Sequence, residues 1–79
     1  MKIVTIKYLT EYKLEVVFEN GIMKIIDLQT FLKSSNNPLI SKYLDIDLFS
    51  QVYLDSQGVP CWGDNEMDIN PLSILNDEF

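Results

Sequence analysis

The Asn20-Gly21 pair, set between two segments that read as strands, constrains the fold of this chain more than any other sequence feature. Residues 12–19, just before it, alternate between apolar and mostly charged side chains, which is typical of a half-buried strand. Asn-Gly is the strongest short hairpin signal, because a type I′ turn needs a positive φ angle at both central residues. The sequence therefore predicts a β-hairpin with a two-residue loop.

The register of this hairpin follows from the length of its loop. A two-residue loop continues one largely apolar face across both strands, so that the turn and the alternation agree. The predicted partners across the hairpin are Phe18 and Met23, Val16 and Ile25, and Leu14 and Asp27.

The opposite face of the hairpin is not purely polar. It carries four aliphatic residues among its charged ones, and these need cover from a helix or from a second copy of the chain. A homodimer is therefore compatible with the sequence. The aliphatic residues are Val17, Ile22, Ile26 and Leu28.

Further strands flank the hairpin on both sides. Residues 3–9 are rich in β-branched side chains and predict a first strand, which completes an N-terminal three-strand meander. Residues 51–55 and 59–62 predict a C-terminal strand pair joined by a Gly-containing turn. Pro60 has no N–H to donate, so the second strand of this pair is expected at an edge.

Short helical turns are expected between the two groups of strands. Asp27 can cap a first helix that carries Phe31, and residues 39–44 predict a second helical turn. Asp45 or Asp47 can cap a third turn, which leads into the fourth strand.

A last short helix closes the predicted fold. Asn70 can accept a backbone N–H bond as its cap, and Pro71 suits the first helical position, where its missing N–H costs nothing. Leu72 and Leu75 then share one face. We therefore predict an α+β fold for a single small domain, residues 1–79, in which a small antiparallel sheet (the meander plus the C-terminal pair) packs on short helices.

Charge is unevenly distributed along the chain. Residues 1–44 hold all six lysines and four carboxylates, a net charge of +2, whereas residues 45–79 hold eight carboxylates and no base. The chain has no arginine, the residue favoured for bidentate phosphate contact and for reading guanine, so direct binding to nucleic acid is not expected. The acidic half suits a basic protein partner, or it serves only to keep a small protein in solution.

The residues that usually carry catalysis are missing. The chain has no histidine, which is the commonest general base near neutral pH. Cys61, the one cysteine, has no histidine or arginine to lower its pKa. We therefore expect no catalytic residue and no enzymatic activity.

A run of acidic residues before the last helix invites a metal interpretation. Alternate residues from Asp64 to Asn70 offer oxygen ligands, like the start of a calcium loop, but Ile69 stands where that loop needs glycine and Leu75 where it needs glutamate. We expect no metal and no cofactor. The open alternative is a small enzyme or accessory protein that uses Asp64, Glu66 and Asp68.

The sequence indicates a cytoplasmic protein. No apolar run approaches the roughly 20 residues that a membrane span needs, and the N-terminus lacks the pattern of a signal peptide. A lone cysteine, Cys61, cannot form an internal disulfide, which suits a reducing compartment.

The residues most suited to a protein interface lie in the acidic half. Tryptophan is enriched at binding hot spots, although the sequence favours a core position in which Trp62 anchors the last strand against the terminal helix. Carboxylates near an exposed aromatic would steer a basic partner. The candidate interface residues are Trp62, Asp64, Glu66, Asp77, Glu78 and Phe79.

The end of the chain resembles a known family. Trp62, a short polar turn and then the sequence D-I-N-P-L-S-I from Asp68 are similar to the small bacterial family called domain of unknown function 2442. The resemblance extends over nearly the whole chain, from about residue 3 to residue 75, through the hairpin and the turn that carries Phe49.

What this resemblance implies is an α+β domain without an established activity. Members resemble stand-alone domains that are sometimes fused to a helix-turn-helix domain and often encoded beside small proteins suspected of toxin–antitoxin roles. No segment of this sequence is left for a helix-turn-helix domain, so direct operator binding is not expected.

Together these observations favour a non-enzymatic protein-interaction module, antitoxin-like or accessory to a small basic protein. Two alternatives stay open at this point. One is the metal- or carboxylate-dependent enzyme or accessory protein, and the other is an acidic inhibitor that mimics the charge of nucleic acid.

Overall fold

The computed structural model describes residues 1–79 and begins with an antiparallel three-strand sheet whose central strand is the second. Leu14, Val16 and Phe18 on that central strand are buried and face the core, as their alternation predicts. The N-terminal meander is thus confirmed. Its strands are β1 (Ile3–Tyr8), β2 (Lys13–Phe18) and β3 (Met23–Asp27).

Short helices follow the meander, and a second small antiparallel sheet precedes the last helix. The α+β fold class is confirmed, but the C-terminal strands form a sheet of their own, with a third strand that the sequence does not predict. The elements are α1 (Gln29–Ser34), α2 (Pro38–Ser41), a 3₁₀ turn (Lys42–Leu44), α3 (Ile46–Phe49), β4 (Tyr53–Leu54), β5 (Pro60–Trp62), β6 (Met67–Asp68) and α4 (Pro71–Leu75).

The hairpin between β2 and β3 has a three-residue loop, so the expected two-residue loop is wrong. The Phe18 N–H donates to the Ile22 carbonyl at 2.8 Å, and the Gly21 N–H donates to the Phe18 carbonyl at 2.9 Å. Gly21 alone takes a positive φ, of 89°, while the Asn20 carboxamide oxygen accepts the Ile22 N–H. This geometry is a type I turn followed by a left-handed glycine, the usual three-residue alternative to type I′.

The longer loop shifts β3 by one residue and changes which of its side chains are buried. Leu14 lies opposite Ile26, which is buried, instead of opposite Asp27. Met23 and Ile25, expected in the core, are each 55% exposed on the outer face of the sheet. A one-residue slip inverts a strand in this way because its side chains alternate between faces.

Pro60 lies in the central strand of the second sheet, so its expected edge position is wrong. The order of that sheet is β4-β5-β6, and Leu54 of β4 pairs with Pro60. Pro60 begins β5, where a missing N–H is tolerated, and its carbonyl still accepts the Ile69 N–H at 3.1 Å.

The turn between β4 and β5 joins the second sheet to the first. The Ile3 N–H of β1 donates to the Gly58 carbonyl at 3.1 Å. Gly58 has a φ of 74°, and a Cβ atom there would lie 2.7 Å from the Ile3 carbonyl oxygen and would also collide with the Lys2 side chain. Only glycine fits this contact without a shift of β1.

The last helix begins as predicted but buries a different residue. The Asn70 side chain accepts the Leu72 N–H at 2.9 Å, and Pro71 occupies the first turn. Ile74 is fully buried, whereas Leu72 is exposed. None of the helices combines the length and the apolar character that crossing a membrane requires.

Candidate functional site

Trp62, a candidate interface residue, lies in the core instead of on the surface. Its side chain is 0% exposed, which agrees with the favoured core position and rules out the alternative, an exposed interface anchor. The indole N–H donates to the Phe49 carbonyl at 2.7 Å, and the indole and Phe49 rings lie 5.3 Å apart between centroids. A buried indole with its N–H satisfied stabilises the junction between α3 and β5.

Glu66 is held by two neighbours within the chain. The Tyr43 hydroxyl donates to its Oε1 atom at 2.7 Å, and the Lys42 ammonium forms an ion pair with the same oxygen. These bonds, that from Lys42 first, keep the pKa of Glu66 below its ordinary value. Burial, and then the bond to Glu66, raises the pKa of Tyr43 to about 12. One of the two carboxylate oxygens of Glu66 is therefore engaged within the chain.

Gly63, in the turn between β5 and β6, leaves the space that the hydrogen bond between Tyr43 and Glu66 needs. Its φ is 65°, and a Cβ atom there would collide with the Glu66 carboxylate and the Tyr43 hydroxyl. The Tyr53 hydroxyl donates to the Gly63 carbonyl at 2.8 Å. The turn is consequently tied to the 3₁₀ turn by side-chain hydrogen bonds.

The other carboxylates of the predicted acidic run do not converge. Asp64 and Asp68 are exposed, and Glu66 points to Lys42. No group of three or more histidine, cysteine, aspartate and glutamate side chains is close enough to hold a metal ion. Asp64, Glu66 and Asp68 therefore do not form a shared metal site.

Cys61 is a free, buried thiol on β5. Burial, followed by the nearby carboxylates of Asp55 and Asp68, raises its pKa. Because the thiolate is the nucleophilic form, this environment keeps the sulfur unreactive near neutral pH.

The C-terminal segment, residues 76–79, places the remaining three candidates beside the meander and α1. Asp77 accepts a hydrogen bond from the Lys24 ammonium at 2.9 Å, which ties the segment to β3. The Glu78 N–H donates to the Ser73 carbonyl at 3.0 Å, and the Glu78 side chain is exposed. Phe79 is 41% exposed.

Residues of α1, Asp27 before it and the C-terminal segment line a hollow of about 430 Å³, which we call the α1–tail hollow. The rings of Phe31 and Phe79, which both line it, contact each other edge to face, with centroids 5.8 Å apart and planes at 84°. Asp27 contributes a carboxylate whose Oδ1 atom accepts the Gln29 N–H at the start of α1. The lining residues are Asp27, Thr30, Phe31, Ser34, Glu78 and Phe79.

The structure thus divides the six candidates among three places. Trp62 is in the core, Asp64 and Glu66 belong to the turn after β5, and Asp77, Glu78 and Phe79 form the C-terminal segment beside α1. Sequence reasoning missed Asp27 and Phe31 as members of the site. Their local signals indicate a helix cap and an apolar helix face, and only the return of the chain end brings them to the hollow.

Comparison with known proteins places the chain in a family. The sequence model of the family described as Protein of unknown function (DUF2442) matches residues 3–79. No curated protein and no solved structure matches the chain. The resemblance expected from the Trp62 turn and the hairpin is therefore confirmed, and this chain belongs to the DUF2442 family.

Proposed function

We propose that this chain is a non-enzymatic interaction module that binds a basic protein through its acidic C-terminal half. One observation carries the proposal: Glu78 and Phe79 place a carboxylate with no ion pair and a partly exposed ring together on the surface. Exposed aromatics supply contact area, and carboxylates steer a cationic partner.

The two ion pairs of the chain indicate which carboxylates are free to contact a partner. Lys24 pairs with Asp77 and Lys42 with Glu66, so these two carboxylates are already compensated. Asp64 and Glu78 have no cation beside them and stay available to a partner. We therefore assign the charge contacts to Asp64 and Glu78 and the apolar contact to Phe79, with Trp62 supporting the fold.

An antitoxin-like or accessory role is the finer part of the proposal. The family resemblance implies neighbours that are small proteins suspected of toxin–antitoxin roles, and an acidic module is suited to neutralise a basic one. The neutralising contact would then cover the C-terminal segment.

The experiment is affinity capture from the source cell with the intact chain and two matched double variants. Asp64→Asn/Glu78→Gln removes the two unpaired carboxylates at nearly constant volume, and Lys7→Gln/Lys13→Gln removes two charges from the N-terminal sheet. We expect a basic protein, identified by mass spectrometry, to be retained by the wild type and the lysine variant and lost from the carboxylate variant.

Two results would overturn the proposal. Equal retention by all three forms would show that the acidic half is not the interface. Retention of no protein by any form would leave a solvated acidic surface as the sufficient explanation.

A further inference from the structure

We infer that the α1–tail hollow binds an arginine side chain of the basic partner, an inference that rests on the proposed function. The hollow has about 430 Å³ of space and is bounded by two phenyl rings and two carboxylates. This combination of surfaces matches both parts of an arginine side chain, which has an apolar stem and a cationic end.

The charges of the hollow are unmatched within the chain. Neither Asp27 nor Glu78 takes part in an ion pair, and no lysine lines the hollow. Lys33 of α1 precedes Ser34 in sequence but does not line the hollow and forms no ion pair, and Lys24 of β3 is held by Asp77 at 2.9 Å. A cation from outside would therefore find two carboxylates that form no ion pair within the chain.

The rings favour arginine over a simple metal or ammonium ion. Phe31 and Phe79 are both partly exposed and meet edge to face at the hollow. The planar guanidinium stacks on aromatic rings and forms bidentate bonds with carboxylates, whereas a compact ammonium does neither as well. Hydroxyl groups of Thr30 and Ser34 complete the lining with weaker acceptors.

The test uses N-acetyl-L-arginine amide as the probe, titrated into the intact ¹⁵N-labelled chain and followed by NMR. N-acetyl-L-citrulline amide, of nearly the same shape but uncharged, is the matched control probe. We expect saturable shifts of the Thr30, Phe31 and Phe79 amides with the arginine probe, and no saturable shift with citrulline.

The matched variants separate the hollow from general surface acidity. Glu78→Gln should weaken binding of the arginine probe by up to about fivefold, as expected for one exposed charge contact. Asp27→Asn should act similarly while keeping an acceptor for the Gln29 N–H at the start of α1, because the asparagine side-chain oxygen accepts the same bond. Asp64→Asn removes a carboxylate outside the hollow and should leave the affinity unchanged.

Equal shifts with citrulline, or equal weakening by Asp64→Asn and Glu78→Gln, would overturn the inference. These results are distinct from a failure of the proposed function, which only the capture experiment reports. An arginine probe that does not bind, while Asp64→Asn/Glu78→Gln still loses the captured protein, removes the hollow as the contact and leaves the acidic interface standing.

Discussion

Phe18 fills the core while Met23 faces solvent, and this contrast makes the two residues a sensitive test of the hairpin register. Phe18 is 1% exposed, and Met23 is 55% exposed on the outer face of the first sheet. Phe18→Ala should lower the free energy of unfolding by about 3–5 kcal/mol, enough to unfold much of so small a protein. Met23→Ala should change it by less than about 0.5 kcal/mol.

Urea denaturation of both variants measures the difference. If Phe18→Ala and Met23→Ala lowered the free energy of unfolding by similar amounts, the result would support the two-residue loop, in which these residues are partners. A large loss from Phe18→Ala alone agrees with the three-residue loop.

Glu66 gives the fold a dependence on acid pH. Because Lys42 and Tyr43 lower its pKa, the ionised form stabilises the folded state above the unfolded-state pKa, and this contribution is lost as pH falls through the folded-state pKa. Glu66→Gln keeps an acceptor for Tyr43 but loses the ion pair. We expect the variant to be less stable than the wild type at pH 7, with a gap that narrows below about pH 4.5.

Denaturation midpoints at pH 7 and pH 3 check this dependence on Glu66. Asp64→Asn, which alters a carboxylate of the same turn without an ion pair, is the control. A constant gap between wild type and Glu66→Gln across this range would show that the Lys42 contact does not depend on the charge of Glu66.

At the scale of elements, a comparison of two glycines with positive φ distinguishes the cost of backbone strain to stability from the cost of close packing. Gly21 has a φ of 89° and open space around it, whereas Gly58 has a φ of 74° and touches the β1 backbone. Gly21→Ala should cost about 1–2 kcal/mol from left-handed strain alone. Gly58→Ala should cost about 2–5 kcal/mol, because overpacking against β1 adds to the strain.

Thermal or chemical denaturation of the two glycine variants tests this ordering. If Gly21→Ala proved as damaging as Gly58→Ala, the contact between the β4–β5 turn and β1 would not be what joins the two sheets.

Local chemistry predicted the elements better than it predicted their placement. The alternation of β2 and the Asn70-Pro71 helix start depend on neighbours in sequence, and both are confirmed. The hairpin register depends on whether Asn20 takes a positive φ, and its side chain forms a hydrogen bond that favours the other turn. The missing N–H of Pro60 predicts an edge strand, but the unpredicted β6 pairs with β5 and leaves β5 in the centre of its sheet.

The candidate site shows the same limit over a longer distance. The exposure of the Glu78 carboxylate follows from its charge, because charged groups stay in water. Two other features depend on tertiary contacts between segments that are distant in sequence. They are the ion pair between Lys42 and Glu66 and the contact between the Phe31 and Phe79 rings. The sequence favoured the core for Trp62 but left an interface position open, and the contact of its indole with Phe49 of α3 places it in the core.

At the scale of the whole molecule, the separation of charge between the two halves is the property that the proposed function uses. The N-terminal 44 residues carry +2, and the rest carries eight carboxylates without a base. Such a distribution steers a basic partner toward the C-terminal half and speeds encounter at low ionic strength. At physiological salt this attraction is largely screened beyond a Debye length of about 8 Å.

The association rate of the captured basic protein, measured against salt concentration, tests the central claim most directly. We predict that the rate falls as salt rises for the wild type and for Lys7→Gln/Lys13→Gln. In Asp64→Asn/Glu78→Gln the rate should be lower at low salt and should depend less steeply on salt. A rate that does not change with salt, or an identical salt dependence in the carboxylate variant, would contradict an acidic C-terminal interface.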